Sequence, residues 1–174
     1  MDTRATRARK KVSKFPFEDL PVEIELEVMK YLDIGDLLRC TQVSKGIRAL
    51  CQNKSLWQKI NLSWKKIPIS FVQFVLDKNC ESLILHGSAV MGRGLKLTKN
   101  YQLRHLDLRQ CKMDAKTMSD LLLSCHSLER LSIDLLNLKP STVKTICHQN
   151  GKTLQKLELK YWDRRTQIIF NPKV

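Results

Sequence analysis

Residues 103–133, LRHLDLRQCKMDAKTMSDLLLSCHSLERLSI, decide the fold. They open with Leu103, Leu106 and Leu108, spaced apolar-x-x-apolar-x-apolar, and close with the same pattern in Leu128, Leu131 and Ile133. The pattern recurs upstream as Trp57, Ile60, Leu62 and as Cys80, Leu83, Leu85, and downstream as Leu154, Leu157, Leu159. First members are separated by 23, 23, 25 and 26 residues, within the roughly 20–29 residues of strand-and-helix repeats. Helical spacing fills Ser70 to Lys78, Asp114 to Ser124 and Ser141 to Asn150, the last led by Pro140. Each strand points two or three apolar side chains inward and its helix covers them. One unit cannot bury a core alone, so the units are expected to stack into a curved α/β solenoid with parallel strands. Cys111, three residues after Leu108, is expected to bond neighbouring backbones where the chain leaves the strand.

The preceding segment, residues 15–62, reads FPFEDLPVEIELEVMKYLDIGDLLRCTQVSKGIRALCQNKSLWQKINL. Pro21 suits a helix start, where its missing N–H costs nothing. Glu23, Glu25 and Glu27 favour that helix's N-terminal end. Asp33 caps a second helix beginning near Gly35, and Val43 to Cys51 forms a third. In the first helix, Ile24, Val28, Tyr31 and Leu32 fall on one stripe, and Val22, Leu26 and Met29 fall on another nearly opposite. A short helix with two apolar faces needs cover on both. Periodicity leaves two sources of the second cover open: the chain's own repeats, or a partner.

The residues Leu20-Pro21, Glu23-Ile24, Val28, Tyr31-Leu32, Asp36-Leu37-Leu38, Val43-Ser44-Lys45 and Leu56-Trp57 occur in an order that resembles the F-box. With the repeats that follow, the chain resembles the F-box/leucine-rich-repeat family from about residue 16 to 162. The resemblance implies a tail at 1–14, a three-helix F-box at 15–56, leucine-rich repeats at 57–162 and a tail or partial cap at 163–174 supplied by Ile168, Ile169 and Phe170. It also implies a substrate receptor of an SCF-type ubiquitin ligase. Leu20, Pro21, Ile24, Val28, Leu32, Leu37, Leu38, Val43 and Trp57 would build or contact the surface that meets the SCF adaptor, and through it cullin. Two departures stand out. Gly35 replaces a common Pro and loosens a turn. Ile47 replaces an aromatic anchor, the residue type that often dominates interface energy.

The 174 residues carry a net charge of +14, unevenly. Residues 1–14 hold six Lys/Arg against one Asp, residues 15–62 six against seven, and residues 63–174 nineteen against nine. The first block has little to bury and reads as a solvated tail, with a nuclear import signal as the alternative; the expected locations are nucleus and cytoplasm. No apolar run reaches membrane-spanning length. Six cysteines without a C-x-x-C pair read as small buried hydrophobes, neither metal ligands nor disulfides. No P-loop, G-x-S-x-G, H-E-x-x-H or dinucleotide fingerprint is present, so neither catalysis nor a cofactor is expected. His86, His105, His126 and His148 recur with the repeat and mark equivalent surface positions.

Residues between the inward leucines should line the concave sheet face, where the expected target contacts are His105, Arg109, Arg130, Lys156 and Lys160. Four of these are basic, so an acidic or phosphorylated protein target is expected, against the plainer reading of a solvated, solubilising face. The resembled family usually carries more repeats, so a short paralogue, a splice form and a fragment remain open. Rival readings are a repeat scaffold or a truncated competitor that delivers no target, and a basic nucleic-acid-associated protein. Against the last, no nucleic-acid module is recognised and aromatics make up 6% of the chain.

Overall fold

The computed structural model describes residues 16–96, 100–134 and 138–160, and the backbone of 167–170. The basic block at 1–14 lies outside the described residues, as do 161–166 and 171–174. The chain divides into two units, Met1–Asn53 and Lys54–Val174.

The first unit holds α1 (Val22–Met29), α2 (Ile34–Cys40) and α3 (Lys45–Cys51). Pro21 precedes α1 in an extended conformation and gives up no helical hydrogen bond. Asp33 caps α2 by accepting from the Asp36 N–H at 2.8 Å, and Ser44 caps α3 by accepting from the Ile47 N–H at 3.1 Å. Each cap answers an otherwise orphaned donor, an effect of about 1 kcal/mol. Gly35 sits in the first turn of α2, between Asp33 and the Asp36 N–H that it caps. The third α-helix packs on the other two, and Met29, Leu37, Ile47, Leu50 and Cys51 are buried.

In the second unit, a 3-10 turn (Lys54–Trp57) leads into β1 (Lys59–Asn61), β2 (Lys66–Pro68) and α4 (Ile69–Asp77). Then come β3 (Ser82–Ile84), β4 (Ala89–Met91), β5 (His105–Leu108), α5 (Ala115–Leu123), β6 (Arg130–Asp134), α6 (Pro140–Gln149), β7 (Lys156–Lys160) and β8 (Gln167–Phe170). The main sheet runs β1-β3-β5-β6-β7-β8. It is parallel up to β7, and β8 pairs antiparallel with β7. β2 and β4 form a second, parallel pair. The architecture is therefore mixed helix and parallel strand.

The register explains the spacing found in the sequence. Ile60, Leu83, Leu106, Leu131 and Leu157 lie side by side across five strands, all buried. Hydrogen-bonded neighbours lie about 4.8 Å apart, so these side chains touch laterally. Inward-facing Val72, Val75 and Leu76 of α4 and Met118, Leu121 and Leu122 of α5 are buried as well. Trp57 is buried and meets Phe74 edge-on, ring centres 4.9 Å apart.

Within the second unit, side chains also tie successive strand-and-helix repeats together, though Cys111 is not the one that does so. Ser88 Oγ donates to the Leu62 carbonyl at 2.6 Å, and Thr153 Oγ1 to the Leu128 carbonyl at 2.9 Å. Buried Asn150 accepts from the Leu128 N–H at 2.9 Å and donates to the Cys125 and Ile146 carbonyls at 3.0 and 3.1 Å. The amide of Asn150 offers a donor and an acceptor together, and a thiol is weak at both. Cys51, Cys80, Cys111 and Cys125 are buried, and burial pushes the Cys80 and Cys111 thiols up to about 11.

Two substitutions separate these contributions. Leu106→Ala should cost about 2–5 kcal/mol in urea unfolding through the cavity it leaves. Asn150→Ala should cost about 1–3 kcal/mol or more by stranding the Leu128 N–H and the Cys125 carbonyl. A loss below 0.5 kcal/mol, roughly the level of a neutral surface change, would show that the amide bonds contribute little.

Candidate protein-binding surfaces

A unit of three short helices cannot bury both sides of its first helix. Among the described residues, Met29 is buried and Leu26 half-buried, whereas Ile24, Val28 and Tyr31 are exposed. The stripe predicted to seek cover thus faces solvent. Val22 is also exposed, although its spacing had placed it with Leu26 and Met29. Leu20, Leu38 and Val43 add apolar surface, Val43 being 68% accessible. Exposed apolar side chains this numerous on so small a unit mark an interaction surface.

The sequence-predicted residues separate into two groups. Leu20, Pro21, Ile24, Val28, Leu38 and Val43 are exposed, and Leu32 is half-buried. Leu37 is buried, so it can shape that surface only from beneath, and Trp57 is buried within the second unit. Val22 and Tyr31 are exposed as well. Tyr31, 85% accessible, lies on the Ile24–Val28 stripe, and that periodicity was the signal for it. Ile47 is buried and lines a hollow with Glu25, Ser44, Gly46 and Leu50.

The polar face of the main sheet carries a different chemistry. Register places Lys59, Ser82, His105, Arg130 and Lys156 in one row and Asn61, Ile84, Asp107, Ser132 and Glu158 in the next. The mostly basic surface expected here is half neutralised. Arg109 Nε donates to both Asp107 carboxylate oxygens, at 2.9 and 3.1 Å, and Nη1 lies 3.6 Å from Glu158. Glu158 is buried, pairs with Lys156 and accepts from Ser132 Oγ at 3.0 Å. His105 Nε2 lies 3.6 Å from Glu129, which Arg104 Nε holds at 2.7 Å. Arg130 and Lys160 alone of the five predicted target residues have no ion pair with a described residue. Among the described residues no cluster of His, Cys, Asp or Glu could hold a metal ion, and no helix is long and apolar enough to cross a membrane.

Comparison with known proteins addresses the first surface. Residues 17–63 match the F-box-like family.

The chain carries an F-box-like domain.

That domain contains all three helices and every exposed apolar residue of α1 and α2 described above. The chain is also similar to the human F-box/WD repeat-containing protein 8, with 34% identity over 71 residues, or 40% of this chain and 11% of that protein. It thus spans about a tenth of that relative's length.

The sheet-face ion pairs carry a pH dependence. Hydrogen bonding to Lys156 holds the Glu158 carboxyl below its ordinary value of 4.5, and Arg104 does the same for Glu129. Carboxyls depressed in the folded state contribute stability that is complete above the unfolded value and lost as pH falls through the folded one. Urea midpoints should therefore drop as pH falls below the ordinary glutamate value of 4.5, and Glu129→Gln/Glu158→Gln should flatten that drop. An equally steep fall in the double variant would place the acid sensitivity elsewhere.

Proposed function

We propose that this chain is a non-catalytic receptor subunit of an SCF-type ubiquitin ligase. Its F-box-like domain docks onto the SCF adaptor, and through it cullin, while the strand-and-helix units act as leucine-rich repeats that hold a protein target. The observation that carries this reading is the solvent-facing apolar stripe of the domain, Ile24, Val28 and Tyr31 with Leu20, Leu38 and Val43. Leu20, Pro21, Ile24, Val28, Leu32, Leu38 and Val43 make the contact. Leu37 supports it from inside.

The 23–26-residue period and the lateral leucine row support the leucine-rich-repeat assignment. The run LLLSCHSLERLSIDLLNL is similar to the S-phase kinase-associated F-box protein, which suggests a cell-cycle setting. In this role the receptor breaks no bond. It raises the local concentration of a target lysine beside a ubiquitin-charged enzyme. The Lys/Arg-rich residues 1–14 support residence in the nucleus as well as the cytoplasm. Their deletion from a fluorescent fusion should abolish nuclear accumulation.

Adaptor capture tests the proposal. Purified chain should retain the SCF adaptor, and Ile24→Glu/Val28→Glu should weaken retention by about tenfold or more, as loss of central apolar anchors does. Both side chains are half exposed, so the melting temperature should hardly move. Wild type that captures no adaptor, or a double variant that captures it equally, overturns the reading.

A further inference from the structure

Carboxylates and cations are distributed differently along the second unit. From Lys54 to Leu106 there are nine Lys/Arg, and only Asp77 and Glu81 oppose them. The carboxylates that neutralise the sheet face, Asp107, Glu129 and Glu158, all come later in the chain. Basic side chains near β2 and β4 therefore have few acidic neighbours in sequence. Lys65, Lys66 and Lys112 are exposed and have no ion pair with a described residue.

The backbone sets these lysines in a fixed pattern. Lys66 pairs with Ala89 in the β2–β4 register, and Ala89 bridges in parallel to Lys112 on its other side. Two strand spacings put the lysine Cα atoms about 10 Å apart, with the short Ala89 side chain between them. The next row on the same face is apolar: Pro68 pairs with Met91, both exposed.

Two residues before Lys66 stands Trp64, 69% accessible and at φ 61. Trp64 shares this left-handed conformation with Gly87 (φ 65) and Gln110 (φ 54), at successive 23-residue steps, so it marks the turn that follows each strand. Its ring meets His86 edge-on, centres 5.0 Å apart, and lies so close over Gly87 that a Cβ there would collide with it. The Trp64 N–H donates to the His86 carbonyl at 2.9 Å, and the Ala89 N–H to the Lys65 carbonyl at 3.0 Å. This tryptophan is therefore both exposed and held in one orientation. Water-facing indole surface contributes nothing to the core, and tryptophan is the residue most enriched at binding hot spots.

We propose that Trp64, Lys66 and Lys112, with Pro68 and Met91 beside them, form a docking corner for an acidic protein segment whose carboxylates are flanked by apolar side chains. Carboxylates of that segment meet the two lysines across Ala89, and its apolar side chains cover the indole and the Pro68–Met91 row. Naming the segment as part of a ligase target rests on the receptor reading above; the binding chemistry does not.

The test uses the full chain and a fluorescein-labelled peptide of alternating glutamate and leucine, read by anisotropy. The wild type should bind it at least about tenfold more tightly than the glutamine counterpart. Lys66→Glu/Lys112→Glu should weaken binding by about tenfold or more, and Trp64→Ala several-fold, with melting temperatures checked for each. Lys144→Glu/Lys152→Glu, two exposed lysines on and just after α6, should leave binding unchanged. Equal binding of the glutamine peptide, unchanged binding by folded Lys66→Glu/Lys112→Glu or Trp64→Ala, or tighter binding of a single-stranded DNA of equal charge overturns the proposal. Adaptor capture is measured on the same preparations. Lost peptide binding with intact adaptor capture removes the corner alone, and lost adaptor capture removes the receptor reading and leaves the peptide result standing.

Discussion

Everything in the second unit depends on the lateral contact between equivalent leucines of successive strands. A strand of three to five residues exposes too much edge and too little apolar surface to persist alone. Ile60, Leu83, Leu106, Leu131 and Leu157 solve this jointly, each closing the side of its neighbour. Complete burial of such a side chain stabilises by roughly 1.5–3 kcal/mol, and the gain exists only while the next strand is in place. Stability is thus shared between nearest neighbours. The bonds of Asn150, Thr153 and Ser88 act across the same junctions, so apolar contact and polar satisfaction fix a single register.

The F-box-like domain meets the opposite constraint. Three helices of seven or eight residues enclose few side chains: Met29, Leu37, Ile47, Leu50 and Cys51. An apolar stripe on each side of α1 exceeds what such a small interior can take. Ile24, Val28 and Tyr31 stay in water, a cost that a surface kept only for solubility would not carry. The caps by Asp33 and Ser44 hold the helices without drawing on that stripe, so the stripe is available to a partner.

The architecture was legible in the sequence to the extent that it rests on periodicity. The helices predicted at Ser70–Lys78, Asp114–Ser124 and Ser141–Asn150 appear as Ile69–Asp77, Ala115–Leu123 and Pro140–Gln149, and the middle member of each of the five apolar triplets falls on its own strand. Details that depend on which side chain a carboxylate chooses were not legible. Arg109 and Lys156 are paired by Asp107 and Glu158, each only two residues away, a spacing that keeps both members on the same side of an extended chain. The same period-two rule that identified the face as basic also delivered its neutralising partners. Val22 was misplaced for a related reason: at the first turn of a short helix, position in the bundle outweighs the stripe.

Trp64 has no apolar counterpart in the next repeats, where Gly87 and Gln110 hold the same left-handed turn just past the strand. Its setting does explain where the charge of the chain resides. On the sheet face, Arg104, Arg109 and Lys156 are balanced by Glu129, Asp107 and Glu158, so these three add little to the outer field. Lys65, Lys66 and Lys112 have no such partners among the described residues, and exposed charges separated by less than a Debye length of about 8–10 Å reinforce one another. A net charge of +14 spread evenly would only raise solubility. Concentrated beside an oriented indole, part of it becomes a directional field, strongest where an apolar contact is also on offer, and that pairing favours an acidic chain with apolar side chains over a bare polyanion.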